Sequence, residues 1–171
     1  MDKFELGFII GLVEGEGSIT LGKGICKNPQ GFSLHPRFFI TNTDMMLLKK
    51  AQLIIGGKIF KKEKIQKINH KQGFKLCIDE RNELKTLLLK LEPYLISKRK
   101  HCQLLLKYLN IHIPNGRKGY SIQELKIFEK IKKLNQLGIE MSLTLTTKRR
   151  KYHIKRKMTI GKLLKQRSII L

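Results

Sequence analysis

Acidic residues are scarce in this chain. Its 171 residues hold 13 Asp+Glu against 36 Lys+Arg, a formal net charge of +23. A one-sided charge of this size says little about fold, but it favours a polyanionic partner, with nucleic acid first. A ribosomal-type protein or a basic membrane-surface protein would share the excess. Cysteine is scarce too: Cys26, Cys77 and Cys102 are far apart, odd in number and form no CxxC pair. They read as reduced thiols of an intracellular protein rather than disulfides or zinc ligands. The five histidines lack metal-binding spacing. His101 and Cys102 are neighbours, and neighbours on a helix do not converge on one ion. Long hydrophobic runs are missing. No stretch approaches the ~18 apolar residues of a membrane span, no secretory signal is visible, and a membrane partner is not expected. There is no GxxxxGK[ST] phosphate loop, no His-Asn-His arrangement and no tandem repeat. Glu83-Leu84-Lys85 and Glu124-Leu125-Lys126 fit an E-x-K string, but both fall on predicted helices as ordinary surface charge.

What is present is concentrated in residues 7–19, Gly-Phe-Ile-Ile-Gly-Leu-Val-Glu-Gly-Glu-Gly-Ser-Ile. Gly7, Gly11 and Gly15 recur every fourth residue. A helix puts them on one face, where two backbones can approach closely. The spacing predicts a helix over 5–15, ended by an αL glycine cap near Gly15 and Gly17. Glu14 and Glu16 then stand just past that end, where the negative end of the dipole disfavours carboxylates. A divalent cation is a good candidate to compensate them.

The rest of the chain alternates in the same manner. Strands are expected over 18–25 and 33–41, then a helix capped by Asp44 and stopped at Gly56-Gly57. Its apolar positions are Met45, Leu47, Leu48, Ala51 and Leu53. Strands over 58–66 and 73–78 follow, then helices over 80–91 and 97–111 separated by Pro93. A last helix begins at Ser121, with Glu124 completing a capping box. The order αββαββ followed by helices predicts an α+β fold: one mostly antiparallel four-stranded sheet with helices on one face.

Charge is distributed unevenly over these elements. Residues 18–78 carry 12 Lys/Arg against two acids, Asp44 and Glu63. A sheet of nearly one sign suggests a DNA-facing surface. Alternation nominates the residues that face outward: Thr20 and Gly22; His35, Arg37, Phe39 and Thr41; Lys58, Phe60, Lys62 and Lys64; Lys75 and Cys77. The inward set is Ile19, Leu21, Leu34, Pro36, Phe38, Ile40, Ile59, Phe74, Leu76 and Ile78. A one-residue slip in any strand would exchange the two sets. Residues 138–171 form a separate basic extension with 10 Lys/Arg and one acid, including Lys148-Arg149-Arg150-Lys151 and Lys155-Arg156-Lys157. It could be a partly disordered tail or a phosphate-gripping arm.

Three segments carry a family resemblance: Gly11-Leu12-Val13-Glu14-Gly15-Glu16-Gly17, Ile40-Thr41-Asn42-Thr43-Asp44, and Pro93-Tyr94-Leu95 followed by Lys98 and Lys100. With the element order, which runs through an endonuclease core of residues 1–137, the chain resembles the LAGLIDADG homing endonucleases of the single-motif, homodimeric type. The resemblance implies an αββαββα fold whose antiparallel sheet forms a DNA-binding saddle. It implies Glu16 as metal ligand with the Gly15 carbonyl, Asn42 ordering water, and Lys98 stabilising developing charge or tuning the attacking water. It implies Lys100 among the DNA contacts and Gly7, Gly11 and Gly15 at a dimer interface. The cofactor implied is Mg²⁺, with Mn²⁺ or Ca²⁺ able to substitute for binding. The implied activity is a sequence-specific double-strand break in a long, near-palindromic DNA target. An intron-RNA maturase and a non-cleaving DNA-binding protein are the alternatives on the same fold. The implied setting is an organelle, or an archaeal or bacterial cytoplasm. The chain departs from the family in having Glu at both acidic positions, where Asp is common. Met46 stands where relatives often carry a basic residue; Lys49 or Lys50 could fill that role.

Overall fold

The computed structural model describes residues 1–27, 31–62, 71–111 and 119–135. Nearly all of them lie in one compact unit, Met1–Lys132; a second unit, Lys133–Leu171, is described only at 133–135. The boundary expected at 137/138, the basic extension beyond it, and Lys64 lie outside the described residues. Among the described residues no helix is long and apolar enough to cross a membrane.

Helix α1, Lys3–Glu16, opens with a capping box: Asp2 Oδ1 accepts from the Glu5 N–H at 2.7 Å, and Glu5 Oε2 accepts from the Asp2 N–H at 3.0 Å. Its end differs from the αL cap expected. Gly17 has φ −79° and ψ 156°, extended backbone that any residue adopts. Glycine is needed there for space: a Cβ would lie 2.5 Å from the Val13 carbonyl oxygen. The chain passes directly from helix to strand, so Glu14 and Glu16 occupy the last turn of the helix rather than a loop beyond it.

Strand β1, Gly17–Ile25, pairs antiparallel with β2, Phe32–Asn42, from Gly17 opposite Ile40 to Ile25 opposite Phe32. Helix α2, Met45–Ile55, is capped by Asp44, which accepts from the N–H groups of Met46 and Leu47. It stops at Gly56 and Gly57, whose φ values of +75° and +86° suit glycine. Leu53, expected on the apolar face, is 84% exposed; Ile54 and Ile55 pack on the core instead. Strand β3, Lys58–Lys61, ends before Lys62, and residues 63–66 of the strand expected there lie outside the described residues; β4, Phe74–Ile78, pairs with both β3 and β2. All pairings are antiparallel, in the order β1-β2-β4-β3.

Helix α3, Arg81–Leu91, yields at Glu92–Tyr94 to one 3₁₀ turn containing Pro93, and α4 spans Arg99–Ile111. A helix over 122–135, α5, begins at the Ser121–Glu124 capping box. The helices share a core with one face of the sheet: Ile9, Val13, Ile19, Phe38, Ile40, Leu48, Leu76, Ile78, Leu84, Leu88, Leu105 and Tyr108 are all buried in a single cluster. Each such side chain contributes roughly 1.5–3 kcal/mol relative to exposure. β4 pairs with β2 only from Phe38 to Asn42. Where that pairing is absent, the Tyr120 hydroxyl accepts from the Leu34 N–H at 2.7 Å and its ring stacks on Phe32.

Candidate functional site

The fold brings two of the expected site residues, Glu16 and Asn42, to one end of the sheet. Gly17 pairs with Ile40, so Glu16, just before β1, and Asn42, at the end of β2, lie at the same end of neighbouring strands. Glu16 is exposed, and among the described residues it has no hydrogen-bond or ion-pair partner. The last turn of α1 contains no basic residue to offset the dipole. Gly15 belongs to that turn, whose carbonyls have no amide partner within the helix. A carboxylate and a carbonyl are hard oxygen donors of the kind Mg²⁺ takes while keeping several waters. Among the described residues no three His, Cys, Asp or Glu side chains converge on a metal position.

Glu14, two residues earlier, is fully engaged. Its Oε1 accepts from the N–H groups of Ile96 at 2.7 Å and Lys98 at 3.5 Å. Its Oε2 accepts from the Ser97 N–H at 3.1 Å and from the Ser97 hydroxyl. Burial pushes its carboxyl up, but the hydrogen bonds from Ser97, Ile96 and Lys98 outweigh this and hold it below the ordinary 4.5. The contact brings the half-buried Lys98 against the C-terminal turn of α1. Asn42 Oδ1 accepts from the Asp44 N–H at 2.8 Å, leaving its NH₂ group for a ligand. Met46 is 71% exposed, and Lys49 and Lys50 on the same helix are exposed as well.

The register confirms the outward alternation and adds cross-strand rows. Thr41, Lys75 and Phe60 form one row; Ser18, Phe39, Cys77 and Lys58 form the next; then come Thr20 with Arg37, Gly22 with His35, and Gly24 with Ser33. The Lys75 ammonium sits 3.8 Å from the centre of the Phe39 ring, a cation–π contact. Ser33 Oγ lies 2.6 Å from His35 Nε2, which fixes the imidazole on the sheet. Two outward expectations need correction. Cys77 is on the outer face but only 8% exposed, because it lies on a central strand between Phe39 and Lys58. Burial and Asp79 push its thiol up, against Lys75 and Arg37. Lys62 lies past the end of β3; its N–H donates to the Gly73 carbonyl at 2.9 Å, so alternation does not set its direction. Lys100 is exposed in the first turn of α4. Gly7, Gly11 and Gly15 are exposed, and a Cβ on any of them would meet nothing within 4 Å.

Sequence reading missed Ser97 and Ser33. Ser97, just ahead of the cationic start of α4, carries a weak capping signal. Ser33 carries none, since its role appears only once β2 is extended beside His35.

Comparison with protein-family models and with curated proteins yields no match. Comparison of folds does. The homing endonuclease I-CvuI, in complex with a DNA target, superposes with a TM-score of 0.59 at 18% identity, over 79% of this chain and 82% of that one. The homing endonuclease I-TnaI gives 0.58 at 21%, over 79% and 96%. The archaeal intron-encoded homing endonuclease I-Vdi141I, complexed with DNA, gives 0.55 at 22%, over 80% and 99%. The chain has the homing-endonuclease fold. At these identities, 18–22%, the likeness is one of fold.

Proposed function

We propose that this chain is a LAGLIDADG-type DNA endonuclease acting as a homodimer on a long, near-palindromic double-stranded target. The observation that carries the reading is Glu16: an unpartnered carboxylate ending a glycine-faced helix, at the edge of a basic sheet. The fold neighbours that are homing endonucleases in complex with DNA support it. Pairing two α1 helices through Gly7, Gly11 and Gly15 would bring two Glu16 carboxylates together. Glu16 and the Gly15 carbonyl would hold Mg²⁺, which supplies water activation and charge stabilisation at a scissile phosphate. Lys98 would stabilise negative charge developing at that phosphate, and the Asn42 NH₂ group would orient the water. On the outer face, Lys58 and Lys75 would grip phosphates while His35 and Arg37 read base edges.

Glu16→Gln tests the reading, because it removes the charge and keeps the shape. Cleavage of the intronless target should be abolished in Mg²⁺, with DNA affinity in Ca²⁺ largely unchanged. Cutting at the wild-type rate would remove Glu16 from the chemistry. Wild-type protein that binds intron RNA and cuts no DNA would favour the maturase alternative.

A further inference from the structure

We infer that Glu14 is a positioning residue for Lys98, a role that rests on the nuclease reading above. Its carboxylate takes four hydrogen bonds from three consecutive residues, Ile96, Ser97 and Lys98, more than 80 residues away in sequence. An ionised carboxylate has about four acceptor sites. Glu14 is therefore saturated by its own chain, whereas Glu16 is open to a ligand.

The segment it holds has little other support. Residues 96–98 link the 3₁₀ turn to α4, and the Lys98 carbonyl already accepts from the Cys102 N–H at 3.0 Å. Their own amides precede the helix and have no acceptor within it. Leu95 is buried at 2% exposure, but Ile96 is 87% exposed, so apolar packing anchors only one side. Lys98, Arg99 and Lys100 all stand at the positive end of the α4 dipole, where cations are disfavoured. Arg99 is offset by Glu92 at 3.0 Å; Glu14 brings its negative charge to the backbone amides of residues 96–98. The carboxylate thus acts as an N-terminal cap delivered from another helix. It fixes the approach of Lys98 to the turn of α1 that ends in Glu16.

Glu14→Gln tests this, since the amide nitrogen would face N–H donors that the carboxylate oxygen accepted. Three readouts apply: hydrogen exchange of the 96–98 amides, DNA affinity, and single-turnover cleavage at saturating enzyme. Exchange should accelerate at those three amides and affinity should hold. The cleavage rate should fall about 10- to 100-fold, the scale of a misplacement near 1 Å. E14Q/K98A should then cut no more slowly than K98A alone. Multiplicative losses in the double variant, or an unchanged E14Q rate, would overturn the proposal. If E14Q fails to fold, Glu14→Asp keeps the charge and shortens the reach: a slower cut at unchanged affinity supports the role, and a wild-type rate overturns it. A wild type that binds but never cuts would instead overturn the nuclease reading. A K98A variant that cuts like wild type would overturn the positioning role and leave that reading standing.

Discussion

The two faces of the sheet are made from the same strands under different rules. On the inner face Ile19, Phe38, Ile40, Leu76 and Ile78 are at most 2% exposed, packed among helices. On the outer face Thr20, His35, Arg37, Phe39 and Lys75 remain partly exposed, and no helix is packed over them among the described residues. One residue along a strand moves a side chain from the first regime to the second. Packing constrains the inner set, because a lost methylene leaves a cavity there. Among the described residues the outer set of Thr20, His35, Arg37, Phe39 and Lys75 is not packed in the core, so substitutions there should cost the fold little.

Phe38 and Arg37 are adjacent and test the contrast most severely. Phe38→Ala should destabilise by about 3–5 kcal/mol through cavity formation, read as a lower urea midpoint. Arg37→Ala should change stability by less than about 0.5 kcal/mol. It should cost about 1–3 kcal/mol in binding at particular base pairs, read on a panel of singly substituted duplexes at fixed salt. An Arg37 variant as unstable as the Phe38 variant would break the division between faces. A loss felt equally at every base pair would make Arg37 a phosphate contact.

The same inside–outside contrast runs along the edge of the site, at Gly17. It is buried, and an added Cβ would lie 2.5 Å from Val13 O and 2.7 Å from Val13 Cα, backbone atoms that cannot step aside. Gly17→Ala should cost about 1–3 kcal/mol by overpacking and should slow cleavage as well, because relief of the clash displaces Glu16. Thermal melts and cleavage assays on one sample would show both. A variant as stable and active as wild type would mean that the helix–strand junction has room to spare.

Much of this was legible in the sequence because two signals are strong. Strand alternation set the faces of β1, β2 and β4 correctly, and the capping residues Asp44 and Ser121 marked where α2 and α5 begin. What the sequence did not reveal depends on distant contacts. The reason for Gly17 is crowding rather than turn geometry, and no local pattern distinguishes the two. Cys77 is outward by parity yet covered, since coverage depends on neighbours on β2 and β3. The resemblance separates Glu16 from Glu14, but the partner of Glu14 was not legible, because the 96–98 turn folds onto it from more than 80 residues away. The start of α4 shows the same dependence: spacing suggested 97, but the turn gripped by Glu14 delays it to Arg99.

The smallest expected effect comes from the open side of α1. Gly11 is exposed in mid-helix, and a methyl group added there would meet nothing within 4 Å. In the isolated chain Gly11→Ala should therefore stabilise by about 0.5–1 kcal/mol, from lower backbone entropy in the unfolded state and better helix propensity. If this face meets a second α1, the same methyl must enter a close helix crossing, and the dimer should weaken. The two consequences have opposite signs, so they separate with protein concentration. Urea unfolding in the dilute, monomeric regime should show the gain, while sedimentation at higher concentration should show a larger dimer dissociation constant and a matching loss of cleavage. A Gly11→Ala protein that is more stable, equally dimeric and equally active would place the dimer contact on another surface, and the open glycine face would then be no more than a solvated side of the helix.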